Sequence, residues 1–261
     1  MVIGESRVTN SILRMIGQDT ISEIDSYIKD ICSKDFFVID SPEKMEELFK
    51  SSVENFIMSL SEEELMDLRS YTGYNFKNIN AILRGNWTYE VNGLLTPEKR
   101  EEFRKLANSV ENIVNKFSIP NINFITFRGA TLNSFASYGI SELSQLENLE
   151  GKFLYESGFT STSILEDTCY FNKELETGEN YNVEVRYLVS SQCNDGALLA
   201  DSRITYSVGQ NEFLLNKSAL SKVIDVKVDK VTNTAVLTVV LIPKKVYDKG
   251  YEQEKTGSRG I

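Results

Sequence analysis

The chain has 261 residues, 41% of them hydrophobic, enough for one large domain with a packed core and an N-terminal extension. Its 38 acidic and 28 basic residues give a net charge of −10, which argues against nucleic acid as the main partner, because phosphate backbones call for clustered Lys and Arg. Histidine is absent, which removes histidine triads, histidine–zinc sites and imidazole acid–base chemistry.

Any catalysis must therefore rest on carboxylates, hydroxyls, amides and arginines. Cys32, Cys169 and Cys193 are widely spaced and form no C-x-x-C, so neither a zinc ribbon nor a disulfide framework is signalled. The expectation is a fold that lives in a reducing compartment and holds no metal. No segment reaches the roughly 20 apolar residues of a membrane span. The start, M-V-I-G-E-S-R-V-T-N, has no apolar h-region, so it does not read as a signal peptide.

Helical spacing dominates up to about residue 120. Ile21, Ile24, Tyr27, Ile28 and Ile31 recur at three and four, marking one face of a helix. Ser41 before Pro42 reads as an N-cap with proline in the first turn. Ser61 and Glu64 read as a capping box. Thr96 and Pro97 repeat the cap-and-proline signature.

Strand signals follow. N-I-N-F-I-T-F-R alternates, with Ile122, Phe124 and Thr126 on one face. K-F-L-Y-E-S-G-F-T-S-T-S, N-Y-N-V-E-V-R-Y-L-V and Q-N-E-F-L-L-N are further strands. V-I-D-V-K-V-D and A-V-L-T-V-V-L-I form a hairpin turning at Thr232 and Asn233. Helices followed by mostly antiparallel strands predict an α+β fold. Residues 244–261 are charged and contain glycine, which predicts a mobile tail.

Three strand-borne motifs carry chemistry. F-I-T-F-R-G places Arg128 at a strand exit before Gly129. Read alone it is a surface arginine; read functionally it is a guanidinium fork shaped for phosphate. G-F-T-S-T-S puts Ser161 and Ser163 on one face of a strand, where short hydroxyls can orient a neighbouring carboxylate. Q-N-E opens the strand Q-N-E-F-L-L-N and so sets Gln210 and Glu212 side by side on one face. Each motif is weak alone; their order, each on its own strand, is far more specific.

In that order the chain resembles the mono-ADP-ribosyltransferase toxins of the Arg–Ser–Glu class. It is most similar to the clostridial exoenzymes that modify Rho GTPases, with some likeness to the catalytic chains of binary actin-modifying toxins. The resemblance covers roughly residues 36–243 and includes S-Y-T-G-Y-N-F-K-N-I-N-A-I-L-R-G-N at 70–86 and D-G-A-L-L-A-D…V-G-Q-N-E-F-L-L. It implies helices packed on a two-sheet, mostly antiparallel core at 36–243, preceded by a helical extension at 1–35 and followed by a flexible tail at 244–261. It also implies NAD as substrate, no metal, and transfer of ADP-ribose to a protein.

Residue roles come from the same resemblance. Arg128 would grip the NAD phosphates with help from Arg84. The Gly129 backbone would bind the nicotinamide amide. Tyr71 and Asn80 would line the adenosine side. Ser161 would orient Glu212, and Glu212 would bind the 2′-hydroxyl of the nicotinamide ribose. Phe171 or Tyr170 would stack on nicotinamide, with Lys173 in place of the family's arginine. Gln210 would recognise the acceptor, which points to an asparagine of a host Rho-type GTPase. Where the Rho-modifying enzymes have an aromatic residue three positions before the glutamine, this chain has Ser207, with Tyr206 one position earlier. The implied protein is a monomer that is secreted or delivered to a host cytosol. Two other readings of the site are NAD hydrolysis, with water as acceptor, and a non-catalytic interaction module.

Overall fold

The structure is a computed structural model and describes residues 7–85, 95–169, 171–173, 178 and 180–248. Among these residues five α-helices come first: α1 (Arg7–Ile31), α2 (Pro42–Met58), α3 (Glu62–Ser70), α4 (Phe76–Leu83) and α5 (Pro97–Val114). The sequence signatures at their ends are used as read. Ser41 accepts from the Lys44 amide and Thr96 from the Lys99 amide, both at 3.3 Å. Ser61 and Glu64 exchange the two bonds of a capping box, at 3.2 and 3.0 Å. Such caps satisfy amides that the helix leaves open.

Eight strands follow among the described residues: β1 (Phe124–Ala130), β2 (Phe153–Glu156), β3 (Thr160–Ser163), β4 (Val183–Val189), β5 (Gly196–Leu199), β6 (Glu212–Leu215), β7 (Ala219–Asp229) and β8 (Thr234–Ile242). They pair in the order β2-β7-β8-β4-β1-β3-β6-β5. Every pairing is antiparallel except β4 with β8. The ladder is continuous, yet β1 and β3 meet at one residue pair, Phe127 with Ser163. The strands thus divide into a five-stranded leaf and a three-stranded leaf joined at a point. This is how the expected two-sheet core is built.

Three apolar clusters fix the layers. Helices α2 to α5 pack against the three-stranded leaf and β1, burying Phe49, Phe56, Leu68, Val110, Phe124 and Phe213. Phe49, Phe124, Phe213, Phe117 and Phe56 form an edge-to-face chain, with ring centroids 5.2, 5.2, 6.5 and 5.4 Å apart. Such T-shaped contacts are favoured by the ring quadrupoles. The chain fixes the strand that begins at Glu212. Two 3-10 segments, Leu132–Tyr138 and Leu143–Leu149, cover one face of the five-stranded leaf. On its other face α1 lays Ile16, Ile24, Ile28 and Ile31 against Phe153, Leu220 and Val240.

Three expectations need correction. K-F-L-Y-E-S-G-F-T-S-T-S is two strands, β2 and β3, that pair with different neighbours. The Q-N-E stretch is not a strand throughout: Val208–Gln210 is a 3-10 turn and Asn211 has φ +47°, so only Glu212 enters β6. The tail at 244–261 begins as a helical turn over 244–248. Tyr247 is buried there and donates to the Ser218 carbonyl at 2.6 Å. Its residues 249–261 lie outside the described residues.

Candidate active site

The divergence of β1 from β3 opens a cavity of about 540 Å³. That volume suits a small-molecule ligand, since such pockets span about 300–1,000 Å³. Arg128, Ser161, Gln210 and Glu212 line it from the strand side, and Tyr71, Asn80 and Arg84 from the helical side. Seven candidate residues that lie far apart in sequence are therefore brought to one space.

Glu212 sits at the first position of β6, directly across from Ser163 of β3. The Ser161 hydroxyl, two residues along β3 on the same face, hydrogen-bonds its carboxylate. Burial pushes the Glu212 carboxyl above its usual pKa, while the Ser161 bond and the Arg128 charge pull the other way. Desolvation wins, as expected for a carboxylate turned into a cleft.

Arg128 lies within β1, and its Nη1 donates to the Ser161 carbonyl at 2.6 Å. Ser161 therefore serves two charges, with its backbone toward the guanidinium and its hydroxyl toward the carboxylate. Arg84 follows the last turn of α4 and pairs with Glu156 at the end of β2. Its Nε and Nη2 donate to the two carboxylate oxygens at 3.0 and 3.1 Å.

The helical wall has its own construction. A π-helical turn, Tyr71–Asn75, joins α3 to α4, and such turns gather at functional sites. The turn buries Tyr71, whose ring meets Phe159 edge-on at 5.1 Å. Burial, then the nearby Glu212 charge, raises the Tyr71 phenol well above its usual pKa, so it stays protonated. Asn80 is buried as well: its Oδ1 accepts from the Phe159 amide at 2.8 Å and its Nδ2 donates to Tyr71 at 3.5 Å. Its side chain thus ties α4 to the turn before β3.

Gly129, Phe171 and Lys173 are not among the residues lining the cavity. Gly129 follows Arg128 in β1 opposite Glu184. Phe171 is half-buried and Lys173 exposed in the turn after Cys169. Tyr170 lies outside the described residues. Thr72, Phe76 and Lys77 line the cavity without having been singled out from the sequence. They belong to the S-Y-T-G-Y-N-F-K stretch, and that resemblance was the one signal that could have found them.

A family model for the ADP-ribosyltransferase exoenzyme matches residues 46–244. The chain belongs to that family. Its activity is therefore NAD-dependent mono-ADP-ribosyl transfer, and two arginines and a carboxylate facing one cleft suit a pyrophosphate next to a sugar. No curated protein matches the chain. Among solved structures, C3stau2 from S. aureus, determined with NAD, superposes with a TM-score of 0.63 at 18% identity, covering 81% of this chain and 100% of that one. The Clostridium limosum C3 exoenzyme gives 0.60 at 20% identity, covering 80% and 98%. The ADP-ribosylating toxin BECa of a C. perfringens binary enterotoxin, determined with NADH, gives 0.62 at 17% identity, covering 80% of this chain and 50% of its own. At these identities the likeness speaks for the fold.

Proposed function

We propose that this enzyme transfers ADP-ribose from NAD to a side-chain amide, an asparagine of a Rho-type GTPase, after delivery to a host cytosol. One observation carries the reading. Glu212, hydrogen-bonded by Ser161 and facing Arg128, stands in a single cleft with Arg84 and Gln210. Cleavage of the nicotinamide–ribose bond builds positive charge on the sugar, as in glycoside hydrolysis. Nicotinamide departs neutral, so no general acid is required, which fits a chain without histidine. Glu212 supplies the fixed negative charge that stabilises the cationic sugar, and Ser161 holds that carboxylate in place. Arg128 and Arg84 grip the pyrophosphate with planar forks.

Gln210 cannot take a proton. Its amide pairs with another amide, which favours an asparagine acceptor over a guanidinium. The turn that carries it ends in left-handed Asn211, so Gln210 leaves the strand line while still lining the cleft.

The test is to incubate the protein with NAD and a eukaryotic lysate, then map adducts by mass spectrometry. The expected result is ADP-ribose on an asparagine of a Rho-type GTPase. Glu212→Gln should retain NAD binding but slow transfer by about 10²–10³-fold, the cost of removing one preorganised electrostatic group. Nicotinamide release without a labelled protein would make the enzyme a hydrolase. Normal transfer by Glu212→Gln would sink the site assignment.

A further inference from the structure

The segment from Glu156 to Ser161 touches three charged groups of the cleft, Arg84, Arg128 and Glu212. At one end the Ser161 carbonyl holds Arg128. At the other the Glu156 carboxylate holds Arg84 through a two-point bond. Between them, the Gly158 amide donates to Glu156 Oε1 at 2.8 Å and the Phe159 amide donates to Asn80 at 2.8 Å. Asn80 lies in α4 and Arg84, four residues on, caps its end, so both stand on one side of that helix. This turn therefore grips the helix twice, through an amide and through a guanidinium.

We infer that Glu156 is a positioning residue for NAD, setting the Arg84 fork toward the pyrophosphate. The proposal rests on the reading of the cleft as the NAD site. The geometry of the pair gives the direction of the effect. Glu156 occupies the Nε–Nη2 edge of the guanidinium, and the Nη1 end is left to face a ligand. Arg84 borders both the 540 Å³ cavity and a neighbouring one of about 730 Å³, as Arg128 does, while Glu156 lines only the latter. The carboxylate thus stands behind the fork, away from Glu212.

An arginine free to rotate would have to be ordered when phosphate binds; one already fixed avoids that entropic cost. The pair itself is partly exposed, with side-chain exposures of 43% and 38%. Such a bridge adds little to stability, so its effect belongs to binding rather than to folding.

The test compares Glu156→Gln, Glu156→Asp and Arg84→Gln in the full chain by steady-state nicotinamide release, NAD calorimetry and thermal melting. Glu156→Gln should raise KM for NAD about tenfold, the equivalent of one charge-assisted hydrogen bond. Its kcat should stay within about twofold, its melting temperature should not move, and Glu156→Asp should recover part of the loss. In the Arg84→Gln background, Glu156→Gln should add nothing, because coupled residues do not act additively. An unchanged or lowered KM, or an equal loss without Arg84, would overturn the proposal. If the parent protein failed to bind NAD at all, the reading of the cleft would fall first and this role with it.

Discussion

Glu212 is pulled in opposite directions by its surroundings, and the balance is measurable. Burial raises its pKa; Ser161 and Arg128 oppose that rise without cancelling it. A carboxyl whose folded pKa lies above its unfolded value binds protons more readily in the native state, so its ionised form costs folding energy at neutral pH. Two effects are expected. Transfer should fall on the acid side at a higher pH than an ordinary glutamate would give, read from a pH profile of nicotinamide release. Glu212→Gln should melt at a higher temperature than the parent at neutral pH, and this gain should vanish as the pH falls below the ordinary carboxylate range. The same residue marks what the sequence could convey. Alternation put Glu212 on a strand and the family resemblance set Ser161 beside it; β3 does pair with β6. Alternation also placed Gln210 beside Glu212, which fails because Asn211 takes a left-handed conformation. Asparagine tolerates that conformation better than most residues, but nothing in Q-N-E requires it.

At the scale of elements, the turn between β2 and β3 decides the most. The sequence reads as one long strand, because Tyr155, Phe159 and the Ser-Thr run all suit a pleated sheet. What breaks it is tertiary: Asn80 of α4 and Arg84 just after it offer the turn partners that a ladder would otherwise supply. Gly158 is the residue that permits this approach. A Cβ there would stand 2.8 Å from Asn80 Oδ1 and 3.3 Å from Glu156 Oε1. Asn80 cannot simply yield, since it is buried and bonded to the Phe159 amide. Gly158→Ala should therefore cost about 1–3 kcal/mol, the usual penalty of overpacking, read by denaturant unfolding. It should also weaken NAD binding, because Glu156 and Asn80 shift together. Glu156 was invisible in the sequence for the same reason: its partner, at the end of α4, lies 72 residues earlier. The helix caps, by contrast, are local, and Ser41, Ser61 and Thr96 could be read directly from their neighbours.

For the whole molecule, the family match begins at residue 46, and α1 lies before it. That helix is kinked at Gly17, where φ is +73°. It is nevertheless part of the core, with Ile24 and Ile31 fully buried against the five-stranded leaf. Its period was plain in the sequence; its docking site was not, because any apolar sheet face could have received it. Among the described side chains of α1, none lines the cleft. Ile24→Ala should thus lower stability by about 2–5 kcal/mol through the cavity it leaves. The KM for NAD, measured well below the melting temperature, should stay as in the parent. Altered NAD affinity would show that the extension is coupled to the cleft.

The meeting of Phe127 with Ser163 has a consequence for how the fold keeps its cleft open. Had the two margins gone on zipping past that rung, backbone amides and carbonyls would have satisfied one another across the seam, and the interior would have closed. By stopping early, the chain forgoes a few ladder bonds and gains a slot whose walls are anchored independently, one by the helices and one by the long hairpin behind it.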